Sequence, residues 1–398
     1  MPQAAVPPVP AGERLASLDA YRGFVMICLA ANGFGIPQAA RNFPDSAIWQ
    51  HLRYQFEHVP WVGCAFWDLI QPSFMFMVGV ALPFSLAKRR EVGAAFLGLW
   101  GHALIRALVL ILLGVALSSK GQEQTNFTFV NVLTQIGLGY GLLFLMGFWP
   151  TWVQWNAIVA ILAGYWAWFA MHPLAPPDFN YVNAGLPSDW PLLTGFEAHW
   201  QKNVNAAADF DFWFLNQFPR AVPYQFNSGG YQTMNFVPSL ATMLFGVMAG
   251  QFIRNTPSRG RVFGMLLACG LLGLASGWAL DFHDLCPLVK RIWTPSWTLF
   301  STGWTLLMLA TFYGVIDGLG LKGWSFPLRV AGMNSIALYI MGQAFAQPTR
   351  QMLSCHFGDS WPDAFGAQYR PVLESGGVLL IFWLFVYWLY RQRVFLKI

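Results

Sequence analysis

His58 stands ten residues ahead of Asp68 in the segment HVPWVGCAFWDLIQPSFMFMVGVALPFS, where the two polar groups introduce a long apolar run. An imidazole with an unperturbed pKa of about 6.5 accepts and returns a proton near neutral pH, and a partly buried carboxylate can fix its tautomer or raise its basicity. Asn32, upstream, can add an amide donor. Proton transfer, or nucleophilic attack by the imidazole, is the chemistry this trio could do; the plainer reading is a histidine hydrogen-bonded at an interface. The remaining histidines, His51, His102, His172, His199, His283 and His356, lack such a setting.

Other ionisable groups also fall near or inside apolar runs, where they are expensive to bury and so are functional candidates: Asp19, Arg22, Arg106 and Arg329. Asp19 and Arg22 are three residues apart, a spacing that lets them neutralise each other on one helix face. In GMNSIALY, Gly332, Asn334, Ser335 and Tyr339 form a small and polar patch; close helix packing accounts for Gly and Ser, while Asn334 in hydrocarbon wants a partner or a ligand. Pro60, Pro72 and Pro83 predict a kinked second span, lining a cavity or simply packed. The five cysteines form no C-x-x-C pair, so no zinc or metal site is expected; Cys286 and Cys355 fall in outward loops, as a disulfide or as two free thiols. Walker, H-E-x-x-H and G-x-S-x-G motifs do not occur.

These groups must be positioned by membrane helices. The chain has 398 residues, 56% hydrophobic and only 10% charged, against roughly 25% charged in soluble domains. Apolar blocks bounded by charge, Pro and Gly predict an all-α polytopic membrane helix bundle with ten transmembrane helices, near 18-36, 65-86, 100-118, 129-148, 152-171, 235-253, 262-280, 296-316, 326-346 and 372-390. Residues 1-13 read as a disordered tail and 14-398 as a single transmembrane domain.

Basic residues gather on alternate loops: Arg14, Lys88-Arg89-Arg90, Arg254, Arg259 and Arg261, Lys322, and finally Arg391, Arg393 and Lys397. That side is expected to be cytoplasmic, with both termini on it. The net charge of +5 reflects this topology, so nucleic acid is an unnecessary partner. Loops 37-64, 172-234 and 347-371 then face outward. The long extracytoplasmic loop near 172-234 mixes Trp190, Trp200 and Trp213 with Asp189, Glu197, Asp209 and Asp211, suited to stacking on sugar rings or to an interfacial aromatic belt.

Several segments together resemble the heparan-alpha-glucosaminide N-acetyltransferase family and its bacterial relatives: RLASLDAYRGFVM followed by Asn32; HVPWVG followed by DLIQPSFMFMVGVALPFSLAKR; SLATMLFGVMAG; KRIWTPSW; and PLRVAGMNSIALY. The resemblance covers residues 14 to 390. It implies an enzyme that takes acetyl-CoA from the cytosol and acetylates the amine of a glucosamine-containing sugar across the membrane, with His58 as the motif histidine and Asn32 and Asp68 as site neighbours. Arg106 and Arg329 are expected to hold the acetyl-CoA phosphates, with Asn334 and Ser335 in the cavity, and no metal is expected. Implied partners are the amino-sugar substrate and membrane lipid, with a homodimer left open, in a bacterial inner membrane. An amino-sugar or oligosaccharide transporter, and an O-acyltransferase of envelope glycans, are the rival readings.

Overall fold

In a bilayer a chain must satisfy its own backbone hydrogen bonds, and a chain of long apolar runs does so as helices. The computed structural model describes residues 15–91, 93 and 95–396, and is helical throughout. The expected tail 1–13, with Arg14 and Lys397, lies outside the described residues, as do the side chains of Lys88, Arg89 and Arg90. The helices follow in chain order. They are α1 (Ala16–Ala31), α2 (Ile36–Ala40), α3 (Ala47–Phe56), α4 (Ile70–Glu91), α5 (Phe96–Ser118), α6 (Val132–Met146) and α7 (Thr151–Ala170). After them come α8 (Ala206–Leu215), α9 (Phe236–Asn255), α10 (Arg259–Phe282), α11 (Pro295–Phe312), α12 (Phe326–Met333), α13 (Ser335–Phe357) and α14 (Arg370–Arg391). Among the described residues there is no strand, only an isolated antiparallel bridge between Val62 and Val289.

Eight segments among the described residues are long and apolar enough to cross a membrane. They are Ala16–Ala40, Phe66–Ala87, Phe96–Ser118, Thr151–Ala170, Thr233–Asn255, Arg259–Phe282, Pro295–Gly318 and Ala367–Arg391. They realise eight of the ten expected spans, and the other two need correction. The span expected at 129-148 is the shorter α6, started by Asn131, whose side chain caps Thr134 N, and followed by Gly147; its 15 residues extend roughly 22 Å, short of a hydrocarbon core of roughly 30 Å. The span expected at 326-346 is broken at Asn334, where α12 stops and α13 begins and then runs on to Phe357.

Burial sorts the spans into two layers. In α4, α1 and α9 most of the apolar window is covered by protein, 72%, 61% and 61%, whereas in α5, α10 and α14 only 22% is. The first three form the interior, and the others turn most of their surface to lipid. The inner helices meet backbone to backbone. A Cβ on Gly79 of α4 would sit 1.9 Å from the Met243 carbonyl oxygen of α9, and one on Gly332 of α12 would sit 1.9 Å from that of Asp19 in α1. Small residues at these crossings let dispersion and close contact replace the hydrophobic drive that lipid does not supply.

Candidate functional site

At one end of this interior the chain leaves α1 through Asn32, Gly33 and Phe34, all with positive φ, and Gly35 makes the turn into α2. A Cβ at Gly35 would lie 2.0 Å from the Pro371 carbonyl oxygen, so the turn is held tightly against the start of α14. After α3 the segment from His58 to Ala65 loops over the end of α4. Asp68, in the first turn there and 1% exposed, holds that loop: its Oδ2 accepts from Val59 N at 3.2 Å and from Ala65 N at 3.1 Å. Its Oδ1 lies 2.7 Å from His58 Nδ1. A carboxylate only accepts, so Nδ1 carries the hydrogen and Nε2 keeps its lone pair. The His58 side chain is 37% exposed, which leaves Nε2 reachable.

The sequence reading missed the third member. Lys290, 3% exposed, places Nζ 3.4 Å from Asp68 Oδ1 and 3.1 Å from His58 Nδ1. The loop before α11 delivers it by pairing with the His58 loop: Gly63 N donates to Leu288 O at 2.9 Å, and Val62 bridges Val289. Arg291, next in sequence, donates from Nη2 to Val59 O and from Nη1 to Gly229 O. The signal was present in KRIWTPSW, a basic pair at the border of an apolar block, but its partner is 232 residues away.

The charges nearly cancel within the cluster. Asp68 and Lys290 offset each other, so the imidazole need not carry charge. Burial first, then the Lys290 ammonium, hold His58 below its ordinary 6.5, against the hydrogen bond and charge of Asp68, which pull upward. A neutral imidazole with one nitrogen locked and the other free can act as a general base or as a nucleophile.

The other expected residues are placed as follows. Asn32 is exposed at the same end, in the turn whose Phe34 ring meets Phe56, and among the described residues it makes no hydrogen bond to His58 or Asp68. Arg106, in the body of α5, donates to the Tyr140 hydroxyl at 3.2 Å and stacks over that ring. Arg329 lies at the opposite end from His58, beside a cavity of about 180 Å³ lined also by Asp19, Phe326 and Tyr390; its buried Nε has no hydrogen-bond partner among the described residues. Asp19 and Arg22 pair at 3.7 Å, as their spacing predicts. Both amide atoms of Asn334 are engaged by the C-terminal segment: Nδ2 donates to Val394 O and Oδ1 accepts from Leu396 N. Ser335 is half-buried at the first position of α13.

Cys286 and Cys355 are both free thiols, the first buried against Ser296 and the second exposed on α13. Among the described residues no group of histidines, cysteines and carboxylates is arranged to hold a metal ion. In the 172–234 loop Trp200 is fully buried, parallel to Phe169, and its carbonyl accepts from Trp61 Nε1. That tryptophan packs the loop onto the helix end; Trp213 stays 60% exposed.

The helices define a multi-pass membrane protein, and its candidate site is a His–Asp–Lys cluster at one end of the bundle under folded loops. No protein-family model matches the sequence. Two curated proteins do: the heparan-alpha-glucosaminide N-acetyltransferase of Homo sapiens, 22% identical, and that of Mus musculus, 21% identical, each across 97% of this chain. The chain spans 60% and 61% of their lengths. The chain is thus similar to the heparan-alpha-glucosaminide N-acetyltransferases over nearly its whole length.

Proposed function

We propose that the chain is a transmembrane acetyltransferase that moves an acetyl group from cytosolic acetyl-CoA to the amine of glucosamine, or of a glucosamine-containing sugar, on the extracytoplasmic side. The observation that carries the reading is the His58 imidazole, bound through Nδ1 to Asp68 beside the buried Lys290, with Nε2 left free. Both relatives are heparan-alpha-glucosaminide N-acetyltransferases, which supports the acetyl group and the acceptor amine in this reading.

In the general-base route the sugar ammonium first gives one proton to solvent. The neutral amine then attacks the thioester carbonyl while His58 Nε2 takes a proton from the nitrogen. The C–N bond forms, the C–S bond breaks with its electron pair on sulfur, and Nε2 returns its proton to the departing sulfur. Amide and thiol result, and the histidine is regenerated. Nε2 is equally free to take the acetyl group first and pass it to the amine. Asp68 holds the tautomer and takes up the positive charge that develops on the ring; Lys290 keeps that carboxylate paired between turnovers. Asn32 would polarise the carbonyl or hold the amine.

Arg329, with its unpartnered Nε beside the opposite cavity, is suited to the phosphates of acetyl-CoA arriving from the cytosol. Arg106, Asn334 and Ser335 stay in the proposed donor path, although the Arg106 guanidinium and the Asn334 amide already have protein partners. A bacterial inner membrane with both termini cytoplasmic goes with this reading.

The test is transfer from labelled acetyl-CoA to glucosamine by the detergent-purified chain, following N-acetylglucosamine and free CoA. Replacing His58 by Ala is expected to lower the rate by roughly 10²–10⁴-fold with the helical fold intact. Near-normal turnover by that variant would sink the assignment.

A further inference from the structure

Beside the His58 cluster, and not used by it, lies a second group of polar side chains. Gln135, Asp211, Gln232, Thr233 and Asn235 are each at most 4% exposed, and Arg291 is half-buried. Their contacts join them. Gln135 Nε2 donates to Thr233 O at 3.0 Å, Thr233 N donates to Asp211 Oδ2 at 2.8 Å, and Asn235 Nδ2 donates to Arg291 O at 2.8 Å. Arg291 also donates to the carbonyl of Val59, the residue after His58, and it follows Lys290 in sequence, so the group adjoins the reactive imidazole.

Seven side-chain atoms of this group are buried with no hydrogen-bond partner among the described residues: Gln135 Oε1, Asp211 Oδ1, both Gln232 amide atoms, Thr233 Oγ1, Asn235 Oδ1 and Arg291 Nε. Buried polar groups are ordinarily paired, so a concentration of orphans marks something missing. The amides of Gln135 and Asn235 cannot be turned over to repair this. Their nitrogens already donate to carbonyl oxygens, so their free atoms are oxygens.

Gln135 Oε1, Asp211 Oδ1, Gln232 Oε1 and Asn235 Oδ1 only accept, Gln232 Nε2 and Arg291 Nε only donate, and the Thr233 hydroxyl does either. The surplus is in acceptors. An anion would meet four oxygens, one of them on a carboxylate, whereas a ligand with several hydroxyls and an ammonium would supply the donors this group lacks. We propose that the cluster around Gln232–Asn235 is the binding subsite for the hydroxyl-bearing ring of an amino-sugar acceptor, adjoining His58. The inference rests on the acetyltransferase reading for the word acceptor, but the binding itself requires no acetyl donor. Burial also raises the Asp211 carboxyl to about 7, and a bound ammonium beside its free oxygen would favour the ionised form.

The test uses the purified full chain without acetyl-CoA and compares binding of glucosamine, glucose and cyclohexylamine, the last lacking the hydroxyls, by titration calorimetry. Glucosamine is expected to bind best, and Gln232→Met and Thr233→Val each to weaken it by about tenfold or more. Hydrogen exchange of the wild-type chain is expected to slow in the 227–237 segment when glucosamine is added, a readout that holds even if a variant fails to fold. Folded variants that bind as wild type, or no protection of 227–237 at saturating sugar, overturn the proposal and leave ordered water as the occupant. Sugar binding lost in the variants with no acetyl transfer by the wild type would leave the subsite standing and remove the transferase reading. Transfer with an unchanged glucosamine KM in Gln232→Met would do the reverse.

Discussion

The free nitrogen of His58 is useful only while it is unprotonated, and its surroundings decide how far into acid that lasts. Burial and the Lys290 charge lower the His58 pKa below 6.5 in the folded chain, so the base form persists to lower pH than for an ordinary histidine. The acid limb of kcat/KM for transfer is therefore expected below pH 6.5, falling as pH drops through the lowered value. Stability has the same sign: below 6.5 the unfolded chain takes up a proton at His58 before the folded chain does, so this group costs stability as pH falls. Lys290→Met removes a lowering charge and leaves the upward pull of Asp68. Its acid limb is expected to move to higher pH, and a pH–rate profile of the two proteins checks it. An unmoved limb would mean that Lys290 does not act on the imidazole.

Helix crossings set where these residues sit, and the closest ones rest on glycine. Gly246 of α9 has its Cβ direction 2.1 Å from the Phe76 carbonyl oxygen of α4, and Gly332 of α12 is as tightly held against α1. Neither contact can yield without moving a backbone. Gly246→Ala and Gly332→Ala are each expected to destabilise by about 3 kcal/mol through overpacking. Gly164 of α7 and Gly376 of α14 have no atom within 4 Å of that position. Alanine there is expected to stabilise by roughly 0.5–1 kcal/mol, the ordinary gain in a helix interior. Thermal unfolding in detergent separates the two pairs, and equal effects would contradict the packing described.

Across the whole molecule, the His58 loop, the 172–234 loop and the loop before α11 share one end of the bundle, while Asp19, Arg329 and Tyr390 share the other. Positive charge gathers toward the second end, and the proposed orientation therefore puts the first outside. An impermeant thiol reagent applied to intact cells is expected to label Ser228→Cys and the exposed native Cys355, and to reach Lys322→Cys only after permeabilisation. Labelling of both engineered sites from one side would contradict the arrangement.

The sequence alone determined the helical class and eight of the spans, and it pointed to His58 and Asp68 as candidates. Those properties are local: a run of apolar residues must be helical in lipid, and an ionisable group at the start of such a run has few cheap explanations. Two spans were not legible, because the shortness of α6 and the break at Asn334 depend on a cap and on a C-terminal segment that binds the Asn334 amide. Lys290 was equally invisible as a site residue. Its contact with His58 spans 232 positions and is made by the pairing of two loops, Val62 with Val289 and Gly63 with Leu288. The unpartnered acceptors around Gln232–Asn235 belong to the same class of fact, since burial and the absence of a partner are properties of the assembled chain, not of any residue's own type.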